Sequence, residues 1–533
     1  MTSRRNLILA GAAAAVTPWD ALIRGAYAQT PPGVVVMAKQ IDDITSLDPA
    51  EAFEYSGTEI VGNVYRKLVT TPNEDPGRLV GDLAESWEAS NGNTVFTFRL
   101  KDGVKFASGA TVTAEDVAWS FQRVVALNKS PAFIINQFGF TKENMAERIR
   151  ATDPRTLVLT ASEATAPSFL YYCLSAAVGS VVEKAVVQAR AAGDDYGNGW
   201  LKQNSAGAGP YRIVSWRASE AVTLEANPNA QPAPATRRII IRHMADSSAQ
   251  LLGLQRGDVD IARNLANDQL RQLANDNRYR VMDKRKASLL YLSLSQRNQF
   301  LARPEVRQAI KLAIDYEGIQ RNIVPSLYAV HQAFLPEGLP GALTEHPFAA
   351  RQEEAKALLA RAGLAQGFEV AFDYSTGAPI SDIAQAVQQQ LAQVGIRCRM
   401  VPGEMRQVIT KTRARQHEIA IVRWGSDYFD PHSNAETFSM NPDNGDNARN
   451  RTLAWRASWD IPELTARTIA AVKETDQAAR VATYLALQRE HQQVSPFIIM
   501  MQEIEVSATR ANVTGLDMGP MSDRTGYVGI RKA

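Results

Sequence analysis

No single hydrophobic core organises a chain of 533 residues, because domains stop growing around one core well below that length and split into separate compact units. At least two such units are therefore expected. The composition is that of a globular chain, with 45% hydrophobic and 21% charged residues. Beyond the N-terminus no apolar run is long enough to span a bilayer, so an integral membrane protein is not expected.

The N-terminus reads as a separate device. Arg4 and Arg5 precede the apolar stretch Leu7 to Val16, and Ala26-Tyr27-Ala28 has the form of an A-x-A cleavage site. Residues 1–28 are thus expected to be an export signal, with the mature chain starting at Gln29. Ser3-Arg4-Arg5-Asn6-Leu7-Ile8 looks like a twin-arginine signal, which moves a protein across the membrane already folded; a general export signal is the alternative. No cysteine follows the cleavage site, so a free periplasmic protein is expected rather than a lipid-anchored one.

The signal holds Arg4, Arg5, Arg24 and Asp20, so the 58 basic and 56 acidic residues of the whole chain become 55 and 55 without it. Net charge falls to zero and no basic domain is left to attract nucleic acid; Arg237-Arg238 and Arg397 with Arg399 are short enough to be solvated faces. Cys398 alternates with Ile396 and Met400, which puts all three on one apolar strand face. Cys173 lies in the apolar stretch Phe169 to Val178, and the two cysteines are expected to be separate buried hydrophobes, in different units, even in an oxidising compartment.

Along the chain, Val34 to Ala38 reads as a buried strand. Ser56 and Glu59 have capping-box spacing before a helix with Ile60, Val64 and Leu68 on one face. Phe96, Phe98 and Leu100 alternate in a strand that Lys101-Asp102-Gly103 would turn into Val104 to Phe106 as a hairpin. Thr113 and Asp116 cap a helix carrying Val117, Phe121, Val124 and Val125. The first third is thus α+β. Residues 227–236 form a loop between strand-like segments, Pro304 opens a helix, and a helix beginning at Ser381 stops at Gly395 and runs into the Cys398 strand. With the apolar Ile419 to Val422 following, the second half is an α/β unit.

The order of several strings resembles the peptide, dipeptide and nickel class of bacterial extracellular solute-binding proteins. They are Leu83 to Glu88, Phe96 to Phe106, Thr113 to Val117, Gly207 to Tyr211, Gly257 to Asp260, Val306 to Asp315, Glu354 to Gly363, and Trp424-Gly425-Ser426-Asp427-Tyr428. The resemblance implies a two-lobed α/β periplasmic-binding-protein fold with a double-crossover hinge. The first lobe would comprise residues 29–71, 181–295 and 496–533, with an α+β subdomain, 72–180, inserted in it, and the second lobe residues 296–495. The connecting strands are expected near Ser288 to Ser295 and Pro496 to Met501. It also implies a monomeric receptor that captures a small ligand, a di- or oligopeptide first of all, and hands it to an ABC permease, with no cofactor and no bound metal.

Asp427 is the first candidate for a ligand contact, since it directly follows an apolar strand and ligands of open α/β lobes bind beyond strand carboxyl ends. In peptide-binding members a similar aspartate holds the ligand's α-ammonium; the bland alternative is a loop aspartate capping its own turn. An open cleft would leave this carboxylate hydrated when no ligand is bound. Trp424 and Tyr428 bracket it as flat walls or as core packing, with Gly425 between. Tyr55, Gly57 and Thr58 are candidates for the opposing wall, or else an ordinary helix start. Gly209-Pro210-Tyr211 and Asp258 to Asp260 read as structural turns.

Enzyme signals fail on spacing. His417-Glu418 begins a zinc-protease string, but the position of the second histidine is Ile421. No G-x-S-x-G elbow, P-loop or paired C-x-x-C is present, so no catalytic residue is assigned. His417 and His432 are the histidines expected near the cleft, and His432 is the one metal candidate there. Receptors for nickel or a metal chelate, an opine or another small solute are the alternatives within the family, and an exported hydrolase is the competing class.

Overall fold

The computed structural model describes residues 30–448 and 450–533, so the expected export signal and Gln29 lie outside it. Strand β1 (Val34–Lys39) is the apolar run read from the sequence, buried in all but its first residue. Helix α1 (Tyr55–Val64) starts two residues earlier than its pattern suggests: Glu54, not Ser56, is the N-cap, and no side chain caps it. Ser56 and Glu59 therefore form no capping box. The Ser56 N–H donates to Asp43 Oδ2 at 2.9 Å, while Glu59 turns inward to Lys39 and to Arg263, whose Nη1 lies 2.8 Å from Glu59 Oε1. A buried carboxylate between two cations gains more than a solvated helix cap does, which is why the tertiary pairing prevailed. Leu68 is buried beyond the end of the helix.

Four strands then build a small antiparallel sheet: β2 (Ala84–Ser90), β3 (Val95–Leu100), β4 (Ile149–Asp153) and β5 (Thr156–Thr160), in the order β2-β3-β5-β4. Phe96, Phe98 and Leu100 of β3 point into its core, as the alternation predicts. The hairpin partner of β3 is β2, however, with Trp87 opposite Phe98; residues 104–106 contribute only an isolated bridge from Lys105 to Thr111. Asn91, Gly92 and Asn93 all take positive φ, closing the tight turn from β2 to β3. With β2 on one side and β5 on the other, β3 has no free edge for 104–106. Helix α2 (Ala114–Leu127) covers this sheet and has the expected Thr113 and Asp116 capping box. Helix α3 (Pro167–Leu174) adds Phe169 and Cys173 to the same core.

The main sheet has eleven strands. They are β1, β6 (Tyr211–Arg217), β7 (Ala221–Ala226), β8 (Arg238–His243), β9 (Ile261–Ala262), β10 (Tyr279–Leu294), β11 (Tyr328–Val330), β12 (Phe368–Ser375), β13 (Ile396–Gly403), β14 (Ile419–Gly425) and β15 (Phe497–Arg510). Their order is β13-β12-β14-β10-β15-β9-β1-β8-β7-β6, with β11 also on β15. Parallel pairs occur on both sides, β1 with β8 and β12 with β13, as expected of α/β units. The long strands β10 and β15 pair antiparallel from Tyr279 opposite Arg510 to Ser293 opposite Phe497, and their ladder is irregular between Arg285 and Leu289 and between Leu290 and Tyr291. Both strands extend well beyond the apolar stretches Ser288 to Ser295 and Pro496 to Met501. The extra length, Tyr279 to Arg285, is largely polar and carries no apolar signal.

Helix α4 (Pro304–Ala313) begins at its proline, and α5 (Ile380–Gln393) ends before Gly395, whose φ is +93°. Two further helices position the candidate site, α6 (Pro431–Ser439) and α7 (Gln477–Val494). Cys173 and Cys398 are both free, and Cys398 is half-buried rather than buried. Among the described residues no helix is long and apolar enough to cross a membrane.

Candidate functional site

The site begins where β14 runs out of buried partners. Ile419 to Val422 are buried, Arg423 is exposed, and the chain then leaves the sheet through Trp424 and Gly425. At Gly425 a segment from the far end of the sequence arrives: an added Cβ would stand 2.6 Å from the hydroxyl oxygen of Tyr55, the first residue of α1. Tyr55 keeps 44% of its surface exposed, but desolvation at its hydroxyl end, with Glu503 and Asp427 adding to it and Arg423 opposing, raises its phenol pKa.

The turn after Gly425 is held rigidly. Ser426 N–H donates to Ala287 O and Asp427 N–H to Ser433 Oγ, both at 2.8 Å. Ser426 Oγ bonds Asn434 Oδ1 at 2.8 Å, and Asn434 Nδ2 in turn donates to Phe334 O. Asp430, the N-cap of α6, accepts from Arg480 of α7 at 2.8 and 2.6 Å, and both side chains are fully buried. That carboxylate is used up in structure.

Asp427 is its opposite. Among the described residues no side chain donates a hydrogen bond to its carboxylate and none pairs with it, although it is only partly exposed. Burial pushes its pKa up to about 8, the nearby Glu436 carboxyl adds to this, and Arg456 opposes it. Burial likewise raises Glu436, against a 3.3 Å hydrogen bond from Asn450. The carboxyl keeps some contact with solvent, but the protein around it disfavours its charged form more than an open cleft would. In the same strand end and turn, and on the facing strand β10, Trp424 Nε1, Tyr428 Oη and Ser288 Oγ are buried without hydrogen-bond partners among the described residues.

The structure thus brings Tyr55 together with Trp424, Gly425 and Asp427. Tyr428 is fully buried, packs its ring edge-on against Phe169 of α3 at 5.8 Å, and belongs to the core of the small sheet. Gly57 faces inward, 3.2 Å from Ser46 O by way of an added Cβ, and the Thr58 hydroxyl folds back onto Glu54 O and Tyr55 O. Neither reaches the others. Glu436, Arg456 and Ser288 carried no sequence signal, since each arrives from a separate element and is an ordinary polar residue in its own segment.

His432 is not placed to bind a metal. Its Nδ1 lies 3.2 Å from the Tyr484 hydroxyl, its ring stands edge-on to Phe169, and burial lowers its pKa to about 3. His417 is bonded to Ser293 at 3.0 Å. Among the described residues the side chains spaced to hold a metal are instead His331, Glu337 and His346.

Comparison with known proteins is consistent over most of the chain. The model of the family described as bacterial extracellular solute-binding proteins, family 5 Middle, matches residues 78–446. A probable D,D-dipeptide-binding periplasmic protein of Escherichia coli is 29% identical over 94% of both chains. A di/tripeptide-binding protein of Pseudomonas aeruginosa is 26% identical over 84% of this chain and 85% of its own. Among solved structures, a periplasmic binding protein of Helicobacter pylori in complex with the peptide STSA superposes with a TM-score of 0.79 at 23% identity, covering 94% of this chain and 98% of the other. The fold is therefore that of the two-lobed periplasmic binding proteins.

Proposed function

The chain belongs to family 5 of the bacterial extracellular solute-binding proteins, and on that premise we propose that it is the periplasmic receptor of an ABC importer for a di- or oligopeptide, whose α-ammonium binds Asp427. One observation carries this reading: a partly exposed carboxyl that no side chain of the described residues pairs with, its pKa pushed up to about 8 by the protein around it. Such a group is costly to ionise alone and favourable to ionise against a ligand cation. The peptide-binding names of the relatives support the same ligand class. Trp424 and Tyr55 supply flat walls that tolerate varied side chains, and the unpartnered Trp424 N–H is a donor for a peptide carbonyl.

The proposed mechanism is a hinge. Residues 29–71, 181–295 and 496–533 with the inserted 72–180 move against 296–495 about β10 and β15, and a ligand bridging both sides favours the closed form that a permease recognises. Residues 1–28 direct export, with Ser3 to Ile8 specifying the twin-arginine route. The protein does no chemistry on its ligand; the relatives are binding proteins too.

Calorimetry in buffers of different ionisation heat tests the proposal with a peptide and its N-acetylated form. At pH 7 the free peptide should bind with release of about one proton, because a carboxyl titrating near 8 must ionise to meet an ammonium. Its affinity should therefore rise as pH climbs from about 6 towards 8, until the ligand amine itself titrates. The acetylated peptide should bind far more weakly and release none. Equal affinity for both forms, without proton release, would overturn the ammonium assignment.

Gly425→Ala gives an independent check. The added methyl must displace the Tyr55 hydroxyl, which costs about 1–3 kcal/mol wherever the two residues meet and should weaken binding roughly tenfold to a hundredfold. Since that hydroxyl is the mobile end of a side chain, melting of the ligand-free protein should barely change. Combining it with Tyr55→Ala should be no worse than Tyr55→Ala alone; additive losses would mean that the two residues do not meet in the bound state.

A further inference from the structure

The connection between β11 and the next helix, Gln352–Arg361, carries a cluster that the peptide site does not use. His331, Glu337 and His346 place their ligand atoms within 4.8 Å of one another. His331 is completely buried, and its Nε2 donates to Leu335 O at 2.8 Å, which leaves Nδ1 as the lone-pair nitrogen. That nitrogen is buried with no hydrogen-bond partner and points at the cluster, 3.8 Å from Glu337 Oε1. A histidine fixed through one nitrogen by a backbone carbonyl, with the other free, is how proteins orient an imidazole towards a metal.

The rest of the loop is built to hold that arrangement. Gln332 clamps Phe348, 16 positions on, through both its amide atoms, at 2.8 and 2.9 Å, which returns His346 to the side of His331. Gln488 of α7 bonds Gly341 O and Leu343 N, and Gln492 bonds Gln332 O. Gln502 of β15 holds both backbone groups of Glu337 at 3.0 Å. The loop is therefore preorganised, as a ligand set requires.

We propose that His331 Nδ1, Glu337 and His346 bind a divalent transition-metal ion of the zinc class, with remaining positions open to water. Two imidazoles and one carboxylate suit zinc, or copper and nickel, rather than calcium or magnesium. Ligand atoms about a tetrahedral zinc stand roughly 3.3–3.5 Å apart, given bonds of about 2.0–2.2 Å, so the cluster must contract by up to about 1.5 Å. The exposed His346 and half-buried Glu337 have the freedom to do so. Glu337 also pairs with Arg285, the residue at which the β10 and β15 ladder becomes irregular, so a bound ion draws its carboxylate from the edge of the hinge.

The test uses untagged mature protein stripped with EDTA, titrated with zinc by calorimetry and with cobalt by visible absorption. One equivalent should bind, with the intense absorption of low-coordinate cobalt. His346→Ala, an exposed change that leaves the fold intact, and Glu337→Gln should each weaken zinc by about a hundredfold or more, since even outer-shell changes cost 10–100-fold. Asp427→Asn should bind zinc as the native protein does. The proposal is overturned if the native protein binds no zinc, if both loop variants bind it unchanged, or if Asp427→Asn abolishes binding and so moves the metal to the cleft.

Discussion

Replacing Asp427 by asparagine is expected to weaken binding of a peptide with a free N-terminus by about two to four decades, or ~3–5 kcal/mol, the usual cost of stranding one partner of a buried pair. The shape is kept and only the charge is lost, so the same variant should lose most of the native preference for the free over the N-acetylated peptide. The raised pKa adds a second expectation, for the ligand-free protein. With a pKa pushed up to about 8, folded Asp427 should hold, between the ordinary carboxylate range and that value, a proton that the unfolded chain has released. Native stability must then fall as pH rises through that window. An asparagine side chain cannot titrate, so the Asp427→Asn variant should lose less stability than the native protein between about pH 6 and 8, and gain on it at pH 8. Parallel melting profiles for the two proteins would show that Asp427 is already ionised and would remove the basis for proton release.

Arg480→Met is expected to produce the largest loss of stability among single changes near the site, again about 3–5 kcal/mol. It leaves Asp430, wholly buried, with the His432 N–H at 2.9 Å but no cation. Equilibrium denaturation measures the loss directly. Adding Asp430→Asn should recover part of it, because neither charge is then stranded, and the coupling between the two changes should be far from additive. Ligand affinity should fall in the single variant as well, since Asp430 anchors the turn that presents Asp427. A single variant as stable as the native protein would mean that the pair contributes nothing net.

The two failures of local reading share one cause. Ser56 and Glu59 have the spacing of a cap, but Lys39 at the end of β1 and Arg263 just past β9 compete for the carboxylate. Val104 to Phe106 looks like a hairpin return, but β2 and β5 already occupy both edges of β3. In each case a partner distant in sequence offered more than the neighbour did. Where only local forces act, the pattern was legible: the Thr113 and Asp116 box, Pro304 at the start of α4 and Gly395 after α5 are where spacing and backbone preference put them.

Residue order alone therefore determined the mixed α/β class, the free cysteines, the strand leading to Asp427 and the family to which the chain belongs, because periodicity, caps and strings of side chains are properties of short segments. Only the tertiary structure decided which charges remain available. Asp427 and Asp430 lie three positions apart and are alike in sequence, yet folding brings Asp430 a bonded arginine from fifty residues away and leaves Asp427 with the Glu436 carboxyl nearby and no bonded partner. Desolvation and counter-charge depend on everything that surrounds a group in space, so the same residue type becomes a paired structural anion in one place and an unpaired carboxyl of raised pKa in the other.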